Sequence, residues 1–326
     1  MILPSSYPGA PFWQRGGHLQ SIVPGVFRKV KGVQYQRERI ETPDGDFLDL
    51  DWLRGSEPRR RLMIVTHGLE SSSEAQYCRG TAKIFFENGW DALAWNCRSC
   101  SGEMNRQFRM YHHGDTEDIS AVIDHAITTG RYEQVALVGY SMGGNITLKY
   151  VGTRGDQIPP QVCAAVAFSA PCDIRAGADV LDRWDNWIYK KRFMAYLEKK
   201  MRHKARQFPG RLELAKLKKV RRWYDFDEHF SAPICGFTSA DEFHAQASAK
   251  NFIAGTRVPT LIVSALNDPI LTPECFPVDI ARDHPYLHLE LTSGGGHCGF
   301  AARGGGGYSW AERRALEFVS LNLVGF

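Results

Sequence analysis

Short apolar runs alternate with amphipathic segments along most of this 326-residue chain. Such runs are typical of strands buried on both faces, so the pattern predicts an α/β fold, a mostly parallel sheet flanked by helices. Eight strands are expected, over residues 36–42, 47–53, 62–65, 92–95, 135–138, 164–168, 261–263 and 287–291. The predicted helices cover residues 77–88, 115–128, 145–153 and 310–323. Between the first two strands, Pro43-Asp44-Gly45 favours a turn and an antiparallel pair.

One long interval after the sixth predicted strand breaks this alternation. Residues 173–256 are charged, aromatic and helical in pattern, with no convincing strand. An insertion of roughly 80 residues is too long for a plain connection. It therefore predicts a helical lid inserted into a single domain that spans residues 1–326. Its aromatic side chains suggest an apolar roof over a pocket, and these are Trp184, Trp187, Phe193 and Tyr196.

The composition is that of an ordinary globular protein, with 43% hydrophobic and 23% charged residues. No apolar run reaches the roughly 18 residues that a transmembrane helix needs. Residues 1–10 are Pro-rich and lack the basic start and apolar stretch of a signal peptide. The eight cysteines are scattered along the chain, so reduced thiols and a cytoplasmic location are expected.

The formal net charge of +4 is unevenly distributed. Residues 183–222 contain 15 Lys or Arg against three acidic residues, so the rest of the chain is net negative. A basic stripe can mark an anionic partner, but it is more often a solvated helix face. The adjacent Trp223-Tyr224 could stack a base, yet no nucleic-acid module accompanies it, and no nucleic-acid partner is expected. Peripheral contact with a membrane stays open as an alternative.

The strongest chemical signal follows the strand at 135–138. There the chain reads Gly139-Tyr140-Ser141-Met142-Gly143-Gly144 and then turns helical. A sharp strand-to-helix turn exposes its serine, needs small neighbours, and aims a helix N-terminus at a developing oxyanion. This context predicts that Ser141 is a nucleophile.

A serine nucleophile needs a base, and the base needs an orienting acid. His297 lies in a glycine-rich loop after the last predicted strand, where the carboxyl edge of the sheet collects functional groups. Asp268 follows the preceding strand and is the preferred acid. Asp173, after the sixth strand, is the alternative, and its other role would be to cap the first lid helix. The order Ser141, Asp268, His297 is that of α/β-hydrolases.

An oxyanion hole needs two backbone N–H groups. Met142, directly after the nucleophile, is predicted to supply one. The loop after the strand at 62–65 should supply the other from Leu69, because Gly68 permits close approach. His67 in the same loop is expected to brace it rather than to act as a base.

At several points the sequence resembles the YheT-like family of the α/β-hydrolase superfamily. The similar segments are Gly17-His18-Leu19-Gln20-Ser21-Ile22, His67-Gly68-Leu69-Glu70, residues 96–103, residues 111–118, residues 139–144, Asn267-Asp268-Pro269 and residues 295–300. The resemblance implies a triad of Ser141, Asp268 and His297 and the hydrolysis of esters or lipid esters. Ser71 departs from the glycine that is common in the family after His-Gly-Leu-Glu.

The sequence therefore predicts a serine hydrolase of carboxylic esters, acting on small-molecule or lipid esters of medium chain length without a cofactor or metal. Cys97-x-x-Cys100 and His112-His113 could bind a metal or do redox chemistry, but no second CxxC pair or carboxylate cluster accompanies them. The alternative from another class is a non-catalytic protein that keeps the fold and uses the lidded pocket to bind a ligand.

Overall fold

A computed structural model describes residues 1–128, 131–302 and 307–323. Within them, nine strands form one sheet in the order β1-β9-β8-β7-β6-β4-β5-β3-β2. The strands are β1 (Ile2–Leu3), β2 (Gln36–Glu41), β3 (Phe47–Leu53), β4 (Arg61–Thr66), β5 (Asp91–Asn96), β6 (Gln134–Tyr140), β7 (Val162–Phe168), β8 (Thr260–Ala265) and β9 (Leu287–Thr292).

The sheet is mostly parallel, as predicted. Only β3 pairs antiparallel with its neighbours, β2 and β5. All eight predicted strands are present, but the predicted strand count is wrong by one. The additional β1 pairs parallel with β9, Ile2 opposite Leu289, and two residues are too few to show a periodic pattern.

Helices cover both faces of the sheet. The α-helices of the described residues are α1 (Gly16–Phe27), α2 (Gln76–Glu87), α3 (Thr116–Thr128), α4 (Met142–Arg154), α5 (Ile174–Leu181), α6 (Trp187–Gln207), α7 (Trp223–Phe226), α8 (Ala232–Ile234), α9 (Ala240–Ala247), α10 (Val278–Asp283) and α11 (Trp310–Leu321). Short 3-10 turns occur at Gly155–Gln157, Trp184–Asn186, Leu214–Lys219, Ala249–Asn251, Ile253–Gly255 and Pro273–Cys275, and a π-helical turn at Asp227–Ser231 joins α7 to α8.

Alternate residues of the central strands point to opposite faces of the sheet and pack into two hydrophobic cores. Leu62 and Ile64 of β4 pack on the side of α3 and α4, whereas Met63 and Val65 pack on the side of α2 and α11. This alternation is the period of two expected for a strand that is buried on both faces. The two cores fix the carboxyl ends of β4, β6, β8 and β9 at one edge of the sheet.

The segment between β7 and β8, which lies entirely within the described residues, contains helices and turns but no strand, and it holds α5 to α9. Its longest helix, α6, buries Leu197 and Met201 against the core that contains β4. No helix within the described parts of the chain combines the length and the apolar character that crossing a bilayer requires.

Candidate active site

Ser141 occupies the turn between β6 and α4. Its backbone has φ 54° and ψ −123°, in the positive-φ region that a non-glycine residue enters at a cost of about 1–3 kcal/mol. Tight packing maintains this geometry. A Cβ on Gly143 would lie 2.3 Å from the Thr66 carbonyl oxygen, and one on Gly139 would lie 2.3 Å from the Gly143 carbonyl oxygen. Glycine is therefore required on both sides of Ser141.

The structure brings His297 and Asp268 to this serine. His297 Nε2 lies 2.8 Å from Ser141 Oγ, and His297 Nδ1 lies 2.9 Å from Asp268 Oδ2. The Asp268 side chain is fully buried, and its Oδ1 accepts the Ile270 N–H at 2.8 Å. These contacts fix the carboxylate, which in turn fixes the tautomer and orientation of the imidazole.

Asp173 lies elsewhere. It caps α5 by accepting the Ala176 N–H at 3.1 Å, and it pairs with Lys250. Asp173 therefore has the helix-capping role that was considered as the alternative to orienting His297.

Helix α1 is hydrogen-bonded to the two loops that carry Asp268 and His297. Gln20 Oε1 accepts hydrogen bonds from Asn267 Nδ2 at 3.0 Å and from the Gly295 N–H at 2.6 Å. Ser21 Oγ accepts the His297 N–H at 2.7 Å. The sequence analysis assigned no role to Gln20 and Ser21. Both lie in the segment Gly17–Ile22, whose resemblance to the family was the one indication that they belong to the site.

The electrostatics favour a positive charge on His297. Burial lowers the pKa of the imidazole, but the Asp268 carboxylate outweighs burial and raises the pKa of His297 well above its usual value. Asp268 therefore stabilises the imidazolium that forms when His297 accepts a proton.

The loop after β4 approaches Ser141 from another side. A Cβ on Gly68 would lie 3.2 Å from the Ser141 Cβ, so this loop and the serine are in contact. Among the described residues, the N–H groups of Leu69 and Met142 have no hydrogen-bond partner. Both remain available to an acceptor.

His67 braces this loop. Its Nδ1 donates to the Gly68 carbonyl at 2.7 Å, and its Nε2 accepts the Cys97 N–H at 3.1 Å. Burial lowers the pKa of His67 to about 4, so its ring is neutral near pH 7. The ring ties the end of β4 to the loop after β5, and in this position it does not contact Ser141 Oγ.

The next residue of the loop, Glu70, is tied to the insertion. It has φ 50°, and its buried carboxylate accepts hydrogen bonds from Lys200 Nζ of α6 at 2.9 Å and from the Tyr111 hydroxyl. Lys200 Nζ also donates to Cys100 Sγ at 3.4 Å. A buried ion pair thus connects α6 to the residue that follows Leu69, a contact with no signal in the sequence pattern.

An apolar pocket lies beside Ser141 and His297. It contains about 480 Å³ of unoccupied space, part of it open to solvent. Its apolar lining includes Leu69, Ile174, Ala178, Leu181, Phe193 and Ile270. A second apolar cavity shares Leu69, His113 and Trp223 with it. A third, wider cleft reaches Ser141 between α1 and α6.

The predicted aromatic roof is largely wrong. Of its four members only Phe193 lines the pocket, while Trp184, Trp187 and Tyr196 are exposed to solvent. The reason is the helical period of α6. Phe193 shares one face with the buried Leu197 and Met201, whereas Trp187 and Tyr196 lie outside that face, on two sides of the solvent-exposed half of the helix.

The remaining sequence candidates have other surroundings. Burial raises the pKa of the Cys97 thiol well above its usual value and that of Cys100 to about 11, which disfavours the thiolates that redox chemistry needs. Burial lowers the pKa of His112 to about 3, and no group of three potential metal ligands occurs in the described parts of the chain. Trp223 is buried in the core, so its ring does not face solvent as base stacking would require.

The sheet order, the strained serine after β6 and the histidine after β9 together define the class of the protein as an α/β-hydrolase. The family model Hydrolase_4, described as serine aminopeptidase S33, matches residues 57–277. The Pyrococcus furiosus esterase Pf2001, a solved structure, superposes with a TM-score of 0.58 at 17% identity, covering 91% of this chain and 99% of that one. A likeness at that identity shows the fold alone.

Two relatives are informative about the family. The Escherichia coli (strain K12) protein named Putative esterase YheT is 35% identical over 316 residues, which cover 94% of this chain and 91% of the relative. Phospholipase ABHD3 of Mus musculus is 26% identical over 92% of this chain and 74% of its own length. The chain therefore belongs to the YheT-like family of the α/β-hydrolase superfamily.

Proposed function

We propose that the protein is a serine hydrolase that cleaves carboxylic esters through an acyl-serine intermediate. The observation that carries this proposal is the hydrogen-bonded series from Asp268 through His297 to Ser141 Oγ, with distances of 2.9 and 2.8 Å. A ligand-binding protein has no need for an aligned base. The names of the relatives, which include an esterase, a phospholipase and a monoacylglycerol lipase, support the same substrate bond.

Each group of the site has a defined role in this mechanism. Ser141 Oγ attacks the ester carbonyl carbon while His297 Nε2 accepts the hydroxyl proton. The carbonyl oxygen becomes an oxyanion, which the N–H groups of Leu69 and Met142 stabilise. His297 then returns the proton to the departing alcohol. His297 then deprotonates a water molecule, whose oxygen attacks the acyl carbon. The bond from Ser141 Oγ to that carbon breaks, Oγ takes the proton back from His297, and the acid leaves.

The pocket favours esters over peptides with a free amino terminus. An aminopeptidase has to bind a substrate ammonium group, and a buried cation needs a carboxylate partner. None of the described residues that line the pocket beside Ser141 is acidic. Glu70 lines the wider cleft, but it is already paired with Lys200.

A substrate panel tests the proposed function. We expect purified protein to hydrolyse p-nitrophenyl esters and to leave aminoacyl p-nitroanilides intact. Because each methylene that enters an apolar pocket contributes ~0.8 kcal/mol, kcat/KM should rise about fourfold per carbon from acetate to medium chain lengths. Turnover of the anilides without turnover of any ester would contradict the proposal.

The pocket also predicts how acyl length can be shortened. Ala178 is buried and lines the pocket, so Ala178→Leu places three more carbons inside it. We expect kcat/KM for an octanoyl ester to fall about tenfold while that for the acetyl ester changes less than about twofold. Ala195→Leu, on the exposed face of α6, is the matched control and should leave both values unchanged. An unaltered chain-length profile in folded Ala178→Leu would place the acyl group elsewhere.

The insertion at 173–256 serves as a lid in this proposal, and Lys200 acts as a positioning residue through Glu70. Lys200→Met leaves a buried carboxylate without its cation and should disturb the Leu69 N–H. We expect kcat to fall about tenfold with little change in KM, and Lys200→Arg to restore much of it. A variant that loses stability but keeps kcat per folded molecule would limit Lys200 to a structural role.

A further inference from the structure

One face of α6 is both apolar and basic, and it points to solvent. Trp187, Ile188 and Tyr196 are 56%, 50% and 49% exposed, and Lys191 and Lys199 are exposed on the same half of the helix, between Trp187 and Tyr196. Large apolar side chains at such exposure are unusual on a helix whose opposite face already packs on the core. An exposed face of this composition is typical of helices that lie in a membrane interface.

Helix α1 continues this surface. The His18 ring stacks on the Tyr189 ring with centroids 5.8 Å apart, so the two helices are in contact. Trp13, just before α1, and Leu19 within it are 53% and 44% exposed. We use the name mouth surface for eight exposed side chains of α1, of α6 and of the turns just before them, namely Trp13, Leu19, Trp184, Trp187, Ile188, Lys191, Tyr196 and Lys199.

The mouth surface adjoins the entrance to the catalytic site. The cleft that reaches Ser141 and His297 is lined by Ser21 of α1 and by Tyr189 and Arg192 of α6. A flat partner that covers the mouth surface therefore also faces the entrance to the cleft.

The charges of this surface are unpaired. Within the described residues, Lys191, Arg192 and Lys199 have no carboxylate within ion-pair distance, whereas neighbouring Lys190 and Lys200 are paired with Asp182 and Glu70. The free cations favour an anionic partner, and the apolar side chains among them favour one that also offers a hydrocarbon interior. A second copy of the chain would bring like charges together, and lysine is depleted in protein interfaces.

We propose that the mouth surface docks on an anionic lipid bilayer. Trp13, Trp184, Trp187 and Ile188 enter the interface between headgroups and acyl chains, and Lys191 and Lys199 contact the anionic headgroups. The cleft then opens at the bilayer surface. The biological role of this docking rests on the proposed function, because a docked hydrolase would reach lipid esters. The binding to the bilayer does not itself require catalysis.

Sedimentation with vesicles tests this docking. The full chain carrying Ser141→Ala is used so that lipid stays intact and failure of binding is separable from failure of catalysis. We expect binding to vesicles of phosphatidylcholine mixed with phosphatidylglycerol, much weaker binding to phosphatidylcholine alone, and a loss of affinity with rising salt. Trp187→Ser/Ile188→Ser and Lys191→Gln/Lys199→Gln should each weaken binding about tenfold or more.

Matched controls lie at the opposite edge of the sheet. Leu321→Ser removes a side chain that is 75% exposed at the end of α11, and Arg60→Gln/Arg282→Gln removes two exposed cations near the amino ends of β4 and β9. Both should bind as the parent does. Equal binding to both vesicle types, or parent-like binding by the mouth-surface variants, would overturn the proposal. So would light scattering that shows a dimer abolished by Trp187→Ser/Ile188→Ser, or a nucleic acid bound through the same residues in place of lipid.

Discussion

Replacing Ser141 with alanine is expected to lower turnover of a simple aryl ester by about 10⁴–10⁶-fold while leaving the fold intact. In the proposed mechanism the side chain supplies the atom that becomes bonded to the substrate, so no neighbouring group can replace it. Its backbone strain is imposed by the packing of Gly139 and Gly143, not by the hydroxyl. The folded state should therefore be as stable as the wild type or nearly so.

Ser264→Ala provides the matched control. Ser264 is a buried serine near the end of β8, and its Oγ has no hydrogen-bond partner among the described residues. The same chemical change there should leave turnover within about twofold. Retention of more than about a tenth of wild-type turnover by Ser141→Ala would show that another residue is the nucleophile.

The second large effect concerns the carboxylate that orients His297. Asp268→Asn preserves the shape of the side chain but favours the wrong imidazole tautomer, which costs up to ~10⁴-fold in turnover in the best-studied triad. Asp173→Asn alters a helix cap and should change turnover by less than about tenfold. If turnover falls more in Asp173→Asn than in Asp268→Asn, with both variants folded, the acid has been assigned to the wrong residue.

The pH dependence of turnover provides a second test of Asp268, because the direction of the shift in Asp268→Asn can be predicted. His297 must be neutral to accept a proton, so turnover falls as the pH drops through its pKa. Asp268 raises that pKa, and its replacement by Asn removes the anion that stabilises the imidazolium. The acid limb of the residual activity of Asp268→Asn should therefore lie at lower pH than in the wild type. An acid limb that stays in place would mean that Asp268 does not act on the titrating group.

Much of this molecule could be predicted from local patterns. Buried strands have a strong apolar signal, and all eight that were predicted are present. Ser141, Asp268 and His297 could be proposed because a parallel sheet brings the loops after β6, β8 and β9 to one edge. Strand order alone indicates which loops meet at that edge, whereas the individual contacts between their residues depend on the complete tertiary structure.

Features set by tertiary contacts escaped prediction. Helix α1 begins with two glycines and contains Pro24, which are poor helix formers, yet it forms because it packs on the loops of Asp268 and His297. A Cβ on Gly17 would lie 1.8 Å from the Asn267 carbonyl oxygen, so glycine there is required by close approach rather than by flexibility. The pair between Lys200 and Glu70 joins residues 130 positions apart and leaves no periodic trace.

The aromatic roof failed for a different reason. Aromatic composition alone assigned Trp184, Trp187 and Tyr196 to the pocket. The period of α6 instead exposes Trp187 and Tyr196 to solvent, and Trp184 is exposed in the 3-10 turn before α6. The same residues then become the basis of the proposed membrane contact. Assigning each side chain to a helix face before assigning it a role would have separated Phe193 from the other three.

The central claim is that His297 activates Ser141 as a nucleophile, and covalent labelling tests it most directly. Intact protein is treated with a fluorophosphonate, digested, and the modified residue is identified by mass spectrometry. We predict a single adduct on Ser141, formed at least about 10³-fold more slowly in His297→Ala, because the serine then lacks its base. A folded wild type that does not react would behave as a non-catalytic binding protein and would contradict the account. So would an adduct on a different residue.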